Sequence, residues 1–152
     1  MKGTNIMKVA FAADHGGYKL KDALVAHLCE RGIETVDFGT NSPDSCDYPD
    51  YADPLCRAVA SGECTFGVLV CSTGLGMSMA ANKHSGIRAA CCSETVSVGL
   101  TRSHNDANVL CLGAFIVGEH TACEMVDLFI STPFSEGERH VRRVGKVNNL
   151  DK

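Results

Sequence analysis

The sequence predicts a three-layer αβα fold, with a five-stranded parallel sheet between two layers of helices and a further helix at the C-terminal end. Three observations carry this expectation. Short apolar runs alternate with stretches of helical periodicity, in repeated strand–helix order. The run Phe66–Cys71 (FGVLVC) is apolar without alternation, as a strand buried on both faces is. Glycine-rich turns, Gly16-Gly17 and Gly74-Leu75-Gly76, stand where strands pass into helices.

The elements follow in order. Residues 1–6 read as a short lead-in, and residues 7–152 as a single domain without a Pro/Gly/Ser-rich linker or an internal repeat. Met7–Ala13 is the first predicted strand. Tyr18–Glu30 follows as a helix with Leu20, Ala23, Leu24 and Leu28 at core spacing, stopped near Gly32. Ile33–Phe38 is the second strand. The polar loop GTNSPDSCDYPD leads to a helix over Tyr51–Ser61. After Phe66–Cys71 comes a helix to Lys83, then a strand at Ile87–Cys92. Ser93 is placed to cap a helix to Arg102. Val109–Leu112 is the fifth strand. Helices over Glu119–Ser131 and Glu136–Val147 complete the chain. Right-handed crossovers are expected, with ligands at the carboxyl ends of the strands.

A formal net charge of −4 argues against a general nucleic-acid binder, which needs a basic face. With 45% apolar residues the chain has enough to build a core. No apolar run approaches a membrane span, and no charged-then-apolar leader with a cleavage site is evident. Nine cysteines, an odd number without a C-x-x-C pair, fit free thiols in a reducing cytoplasm. Cys91 and Cys92 lie in an apolar run and read as small buried hydrophobes. His84 and His120 have no motif context and read as surface residues.

The most informative segment is Val70–Ser78, VCSTGLGMS. A cysteine ends a buried strand and a glycine turn opens a helix, so backbone N–H groups face the crevice and the helix dipole favours negative charge there. The same field favours the thiolate of Cys71. Such a thiolate suits attack on phosphorus, or proton removal beside a carbonyl with the turn holding the enediolate. A cysteine-phosphatase loop needs arginine after five intervening residues, and Met77 stands there. A dinucleotide fingerprint fails as well, with Met79 at the place of the third glycine.

Asp14 and His15 follow the first strand and would face the same crevice, although Asp14 alone also reads as a helix cap. His104 and Asn105 fall in a connector at the amino end of the fifth strand, opposite the crevice of their own chain. Arg139 and Arg143, four apart, share one helical face suited to a phosphate.

Taken together, the ordered motifs AADHGGYKLK, DFGT, DYPDYA, CSTGLGMSMAANKHSGIRAA and SHNDANVL resemble the ribose-5-phosphate isomerase B and galactose-6-phosphate isomerase subunit family over about Met7–Val144. The resemblance implies a flavodoxin/Rossmann-like sheet, a sugar-phosphate substrate, no metal and no organic cofactor. It also implies a homodimer or dimer of dimers with active sites shared between subunits, which would bring His104 to a neighbour's crevice. By motif match Cys71 is the base, His104 assists ring opening, and Ser72, Thr73, Gly74, Leu75 and Gly76 form the anion-binding turn. Asp14, His15, Tyr48 and Asn105 match substrate contacts, and Arg139 and Arg143 match phosphate-binding residues. Two positions depart from the pattern. Ser72 stands where glycine is common, and Phe115 stands where related sequences often carry a phosphate-holding arginine. The expected activity is interconversion of ribose 5-phosphate and ribulose 5-phosphate. A six-carbon substrate such as allose or galactose 6-phosphate, or a non-catalytic phosphosugar-binding module, are the alternatives.

Overall fold

The computed structural model describes residues 6–150, so of the expected lead-in only Ile6 falls within it. Five parallel strands form one sheet: β1 (Lys8–Ala13), β2 (Glu34–Asp37), β3 (Phe66–Cys71), β4 (Ala89–Cys91) and β5 (Val109–Gly113). The helices are α1 (Tyr18–Glu30), α2 (Tyr48–Ala60), α3 (Leu75–Ala81), α4 (Thr95–Asn105), α5 (Glu119–Ser131) and α6 (Glu138–Val147).

Alternation along the strands sorts the core into two layers. Val9, Phe11, Val68, Val70, Leu110 and Leu112 pack with α1, α4 and α5. Ala10, Ala12, Leu69, Cys71, Val109 and Cys111 face α2 and α3. Each fully buried leucine contributes about 2–3 kcal/mol of transfer free energy, and Leu24, Leu28, Leu55, Leu69, Leu110 and Leu112 are all fully buried.

The sheet order is β2-β1-β3-β5-β4. Compared with the flavodoxin order 2-1-3-4-5, the last two strands are exchanged. Composition explains the exchange. VLCLG is buried at every residue and takes an interior position, while the three-residue AAC is half-exposed and takes the edge.

Several boundaries differ from the expected ones. α2 begins at Tyr48 rather than Tyr51, because Pro49 suits the first turn after Asp47. α3 stops at Ala81 instead of Lys83. The cap of α4 is Glu94, not Ser93, with its carboxylate accepting from the Ser97 N–H at 3.0 and 3.1 Å. α4 runs on through His104 to Asn105, and Asp106 ends it at φ 49°. Lys21 is wholly buried, which its charge did not foretell. Its ammonium is matched by Asp37 Oδ2 at 2.6 Å, Asn41 Oδ1 at 2.7 Å and Asp22 Oδ1 at 2.9 Å, as a buried charge requires.

The nine cysteines are free thiols. Cys92 is buried as expected, but Cys91 is exposed. Burial pushes the thiols of Cys56 and Cys92 up, to about 12 and about 11. His120 is exposed, whereas His84 is half-buried and meets Asp53 Oδ1 at 2.8 Å. No helix among the described residues is long and apolar enough to cross a membrane.

Gly17 fixes how closely α1 meets the sheet: a Cβ there would stand 2.4 Å from the Val70 carbonyl oxygen. Gly17→Ala should therefore destabilise the fold by roughly 1–3 kcal/mol, the usual cost of overpacking. Denaturant unfolding measures this, and a midpoint equal to wild type would contradict so tight an approach.

Candidate active site

The carboxyl ends of β1 and β3 lie side by side, with Ala13 in register with Val70. This register sets Asp14 beside Cys71, and the Asp14 N–H donates to the Val70 carbonyl at 3.2 Å. Asp14 is buried and its Oδ1 accepts from the Gly16 N–H at 2.9 Å, so it shapes the turn after β1. Cys71 is 5% exposed, and its sulfur accepts from the Gly74 N–H at 3.1 Å.

Three glycines make this turn possible. Gly74 lies at φ 79°, and a side chain there would meet Cys91 Sγ and the Leu112 backbone. Gly76 lies under the Tyr48 ring, where a Cβ would come within 2.9 Å of Tyr48 Cζ. Gly113 runs against the Thr73 backbone at a separation that excludes any side chain. Ser72 is half-buried; Thr73 is exposed, and its Oγ1 accepts from the Leu75 N–H at 3.3 Å. The Leu75 side chain points outward, 54% exposed, so Leu75 belongs to the turn through its backbone.

His15 is exposed, and its Nδ1 accepts from the Cys46 N–H at 3.2 Å, which leaves Nε2–H free to donate. Beyond it lies a groove of about 650 Å³ lined by His15, Tyr18, Lys19, Ser72, Phe115 and Glu119 among others. Phe115 is 78% exposed there.

The remaining predicted residues form a second cluster elsewhere. His104 sits in the last turn of α4, before β5, while Cys71 pairs with Gly113 at the far end of β5. The five residues of β5 separate these levels by about 13 Å. Buried Arg102 fixes the α4 terminus through Asp106 Oδ1 at 2.9 Å and the Ala107 carbonyl at 2.6 Å. His104 stacks on His140 of α6, with ring centres 4.3 Å apart and planes at 32°. Asn105 and Arg143 line a separate cavity of about 320 Å³ together with Arg88. Thus Asp14, His15, Tyr48, Cys71 and residues 72–76 are brought together, and His104, Asn105, Arg139 and Arg143 are brought together, but one chain does not join the two sets.

The ribose/galactose isomerase family profile matches residues 9–147. The chain belongs to that family. It is 48% identical over 144 residues to the ribose-5-phosphate isomerase B of Escherichia coli, covering 95% of this chain and 96% of that protein. Among solved structures, the ribose-5-phosphate isomerase B of Clostridium thermocellum superposes with a TM-score of 0.93 at 46% identity, over 95% of this chain and 97% of that one. The Thermotoga maritima ribose 5-phosphate isomerase gives 0.92 at 46% identity, over 95% and 99%. The three-layer Rossmann-like sheet is therefore this family's fold.

Within this family frame, His140 is a site-neighbouring residue that no motif singled out. Its Nε2 accepts from Arg139 Nε at 3.3 Å, so its Nδ1–H donates to Ser135 Oγ at 2.8 Å. Burial, then His104, Arg139 and Arg143, hold its pKa below the ordinary imidazole value of 6.5. The unfolded chain thus binds a proton there more readily than the folded one. This contribution to stability is complete above about pH 6.5 and is lost as pH falls toward the depressed value. Wild type should lose stability relative to His140→Gln between pH 7.5 and 5.5. Denaturant titrations of both proteins at the two pH values measure the difference, and parallel changes would contradict the neutral His140.

Proposed function

We propose that this chain is a ribose-5-phosphate isomerase of type B, interconverting ribose 5-phosphate and ribulose 5-phosphate through a cis-enediolate with Cys71 as base. The observation that carries the base assignment is the Cys71 sulfur itself. It ends β3, is shielded from solvent, accepts the Gly74 N–H, and stands beside Asp14 at the sheet's β1–β3 boundary. A base for a carbon acid needs such a shielded acceptor beside donors that can take up the developing oxyanion.

In this reading the furanose opens as the O1 hydroxyl gives up its proton, the bond from C1 to the ring oxygen breaks and the ring oxygen takes up a proton, with His104 assisting the transfer. Cys71 takes the proton from C2, and electron density passes to O1 as the C1–C2 double bond forms. Backbone amides of the Thr73–Gly76 turn hold the enediolate. Cys71 returns a proton to C1 while the O2 proton is transferred to O1, a transfer to which the Thr73 hydroxyl is suited. His15 meets the phosphate from one side. Asp14, Tyr48, Ser72 and Asn105 orient the sugar. Neither a metal nor an organic cofactor enters any step.

The two clusters lie at opposite ends of β5, a length of about 13 Å, and this supports a site built from two copies, in a homodimer or dimer of dimers, with His104, Asn105, Arg139 and Arg143 supplied by the partner. A cytoplasmic setting accords with nine free thiols. Phe115 in the groove wall favours a second reading, a six-carbon aldose phosphate, which a panel of five- and six-carbon aldose phosphates separates by kcat/KM.

Cys71→Ala should lower kcat by about a thousandfold, within the usual reach of a general base, while the protein stays folded. Ketose formation from ribose 5-phosphate in the presence of EDTA is the assay, and near-normal turnover by the variant would end the base assignment. Mixing inactive Cys71→Ala and His104→Ala subunits should restore activity, because a hybrid dimer assembles one complete site. No recovery after demonstrated subunit exchange would rule out the shared arrangement.

A further inference from the structure

We propose that Lys19 is a substrate-binding residue, its ammonium holding the phosphate end of the substrate in the groove between His15 and Phe115. The inference rests on the sugar-phosphate isomerase reading and gives a role to a residue of AADHGGYKLK that the resemblance left without one.

The groove dictates the need. The groove is lined by His15, Ser72, Phe115 and Glu119, with Tyr18 and Lys19 from the first turn of α1. A phosphate dianion there requires charge-assisted donors. Phe115 offers an apolar ring and Glu119 a like charge, and His15, its Nδ1 taken up by the Cys46 N–H, has one ring nitrogen left, so within one chain the groove is short of donors and in the shared-site reading the α6 arginines come only from the other subunit. Among the residues lining the groove, Lys19 is the only one with a permanent positive charge.

Lys19 is also available. It is exposed and has no hydrogen bond or ion pair among the described residues. Two residues on, Lys21 is buried and fully engaged by Asp22, Asp37 and Asn41, so the two lysines of YKLK have separate tasks. A cation in the first turn of a helix also opposes the macrodipole, and no acid in that turn offsets it. An anion bound beside Lys19 removes this conflict. A lysine is a mobile point charge on a long stem, suited to reach a phosphate that carries charge all round. Its place in the same groove as Phe115 lets it supply the cation that position 115 does not.

The test is steady-state kinetics on ribose 5-phosphate, with inorganic phosphate binding followed by calorimetry, for Lys19→Met, Lys19→Arg, Phe115→Arg and the Lys19→Met/Phe115→Arg double variant. Removing one charge-assisted contact should raise KM about tenfold and weaken phosphate binding in proportion, with kcat changing much less. Lys19→Arg should stay near wild type. In the double variant, the new guanidinium should recover most of the lost affinity, which a merely structural role of Lys19 would not produce. Unchanged KM and unchanged phosphate affinity in Lys19→Met would overturn the proposal. Wild type inactive on every aldose phosphate would overturn the isomerase reading instead, and the calorimetric comparison would still decide whether Lys19 binds phosphate.

Discussion

The site depends on the close approach of backbones at the carboxyl ends of β1, β3 and β5. Three strand-to-helix turns crowd into this space, and each meets another chain segment at a distance that leaves no room for a Cβ. Gly17 abuts the Val70 carbonyl, Gly74 abuts Leu112, and Gly113 abuts Thr73. These contacts knit the turns carrying Asp14, Cys71 and Phe115 into one body. The position of each chemical group is thereby inherited from backbone contacts rather than from flexible side chains. Such fixed backbone suits chemistry that needs its groups held at set positions.

The buried Lys21 plays a comparable part on the neighbouring loop. Its bonds to Asp37 and Asn41 bind the end of β2 and the start of the long polar loop to α1. The same loop presents the Cys46 N–H to His15. A buried ammonium is costly unless every proton finds an oxygen, and the three oxygens here meet that demand. The charge serves to hold a loop of otherwise irregular backbone against the site.

Much of this was legible in the sequence because burial on both faces writes itself into strand composition. β3 has its expected limits, β1 and β5 lie within a residue of theirs, and the glycine turn after Cys71 appears where the motif implied. The strand order at the far edge was not legible, since neither AAC nor VLCLG states its neighbour. Only their relative burial decides between edge and interior. The start of α2 was misplaced because the polar stretch before Tyr51 hid a proline suited to a first helical turn. The pairing of His104 with His140 joins α4 to α6 across more than thirty residues, and no local pattern encodes a contact of that range. Lys21 likewise reads as a surface charge until its three oxygen partners are seen. The candidate residues at the strand ends were recoverable from motifs, and the strand–helix order already set His104 and Asn105 at the opposite end of the sheet, whereas the joining of Arg139 to that second set through His140 depends on how α6 packs on α4.

The unequal exposure of the cysteines bears on how the protein ages. Five of the nine thiols are buried, Cys71 among them, and four are at least partly open to solvent: Cys29, Cys46, Cys91 and Cys123. Oxidants and electrophiles act on accessible sulfur first. The open four therefore form an outer chemical layer that is consumed before the interior is reached. Damage would accumulate at the periphery as a graded record of exposure, and the buried thiols away from the glycine turn, Cys56, Cys64, Cys92 and Cys111, would be the last to be altered.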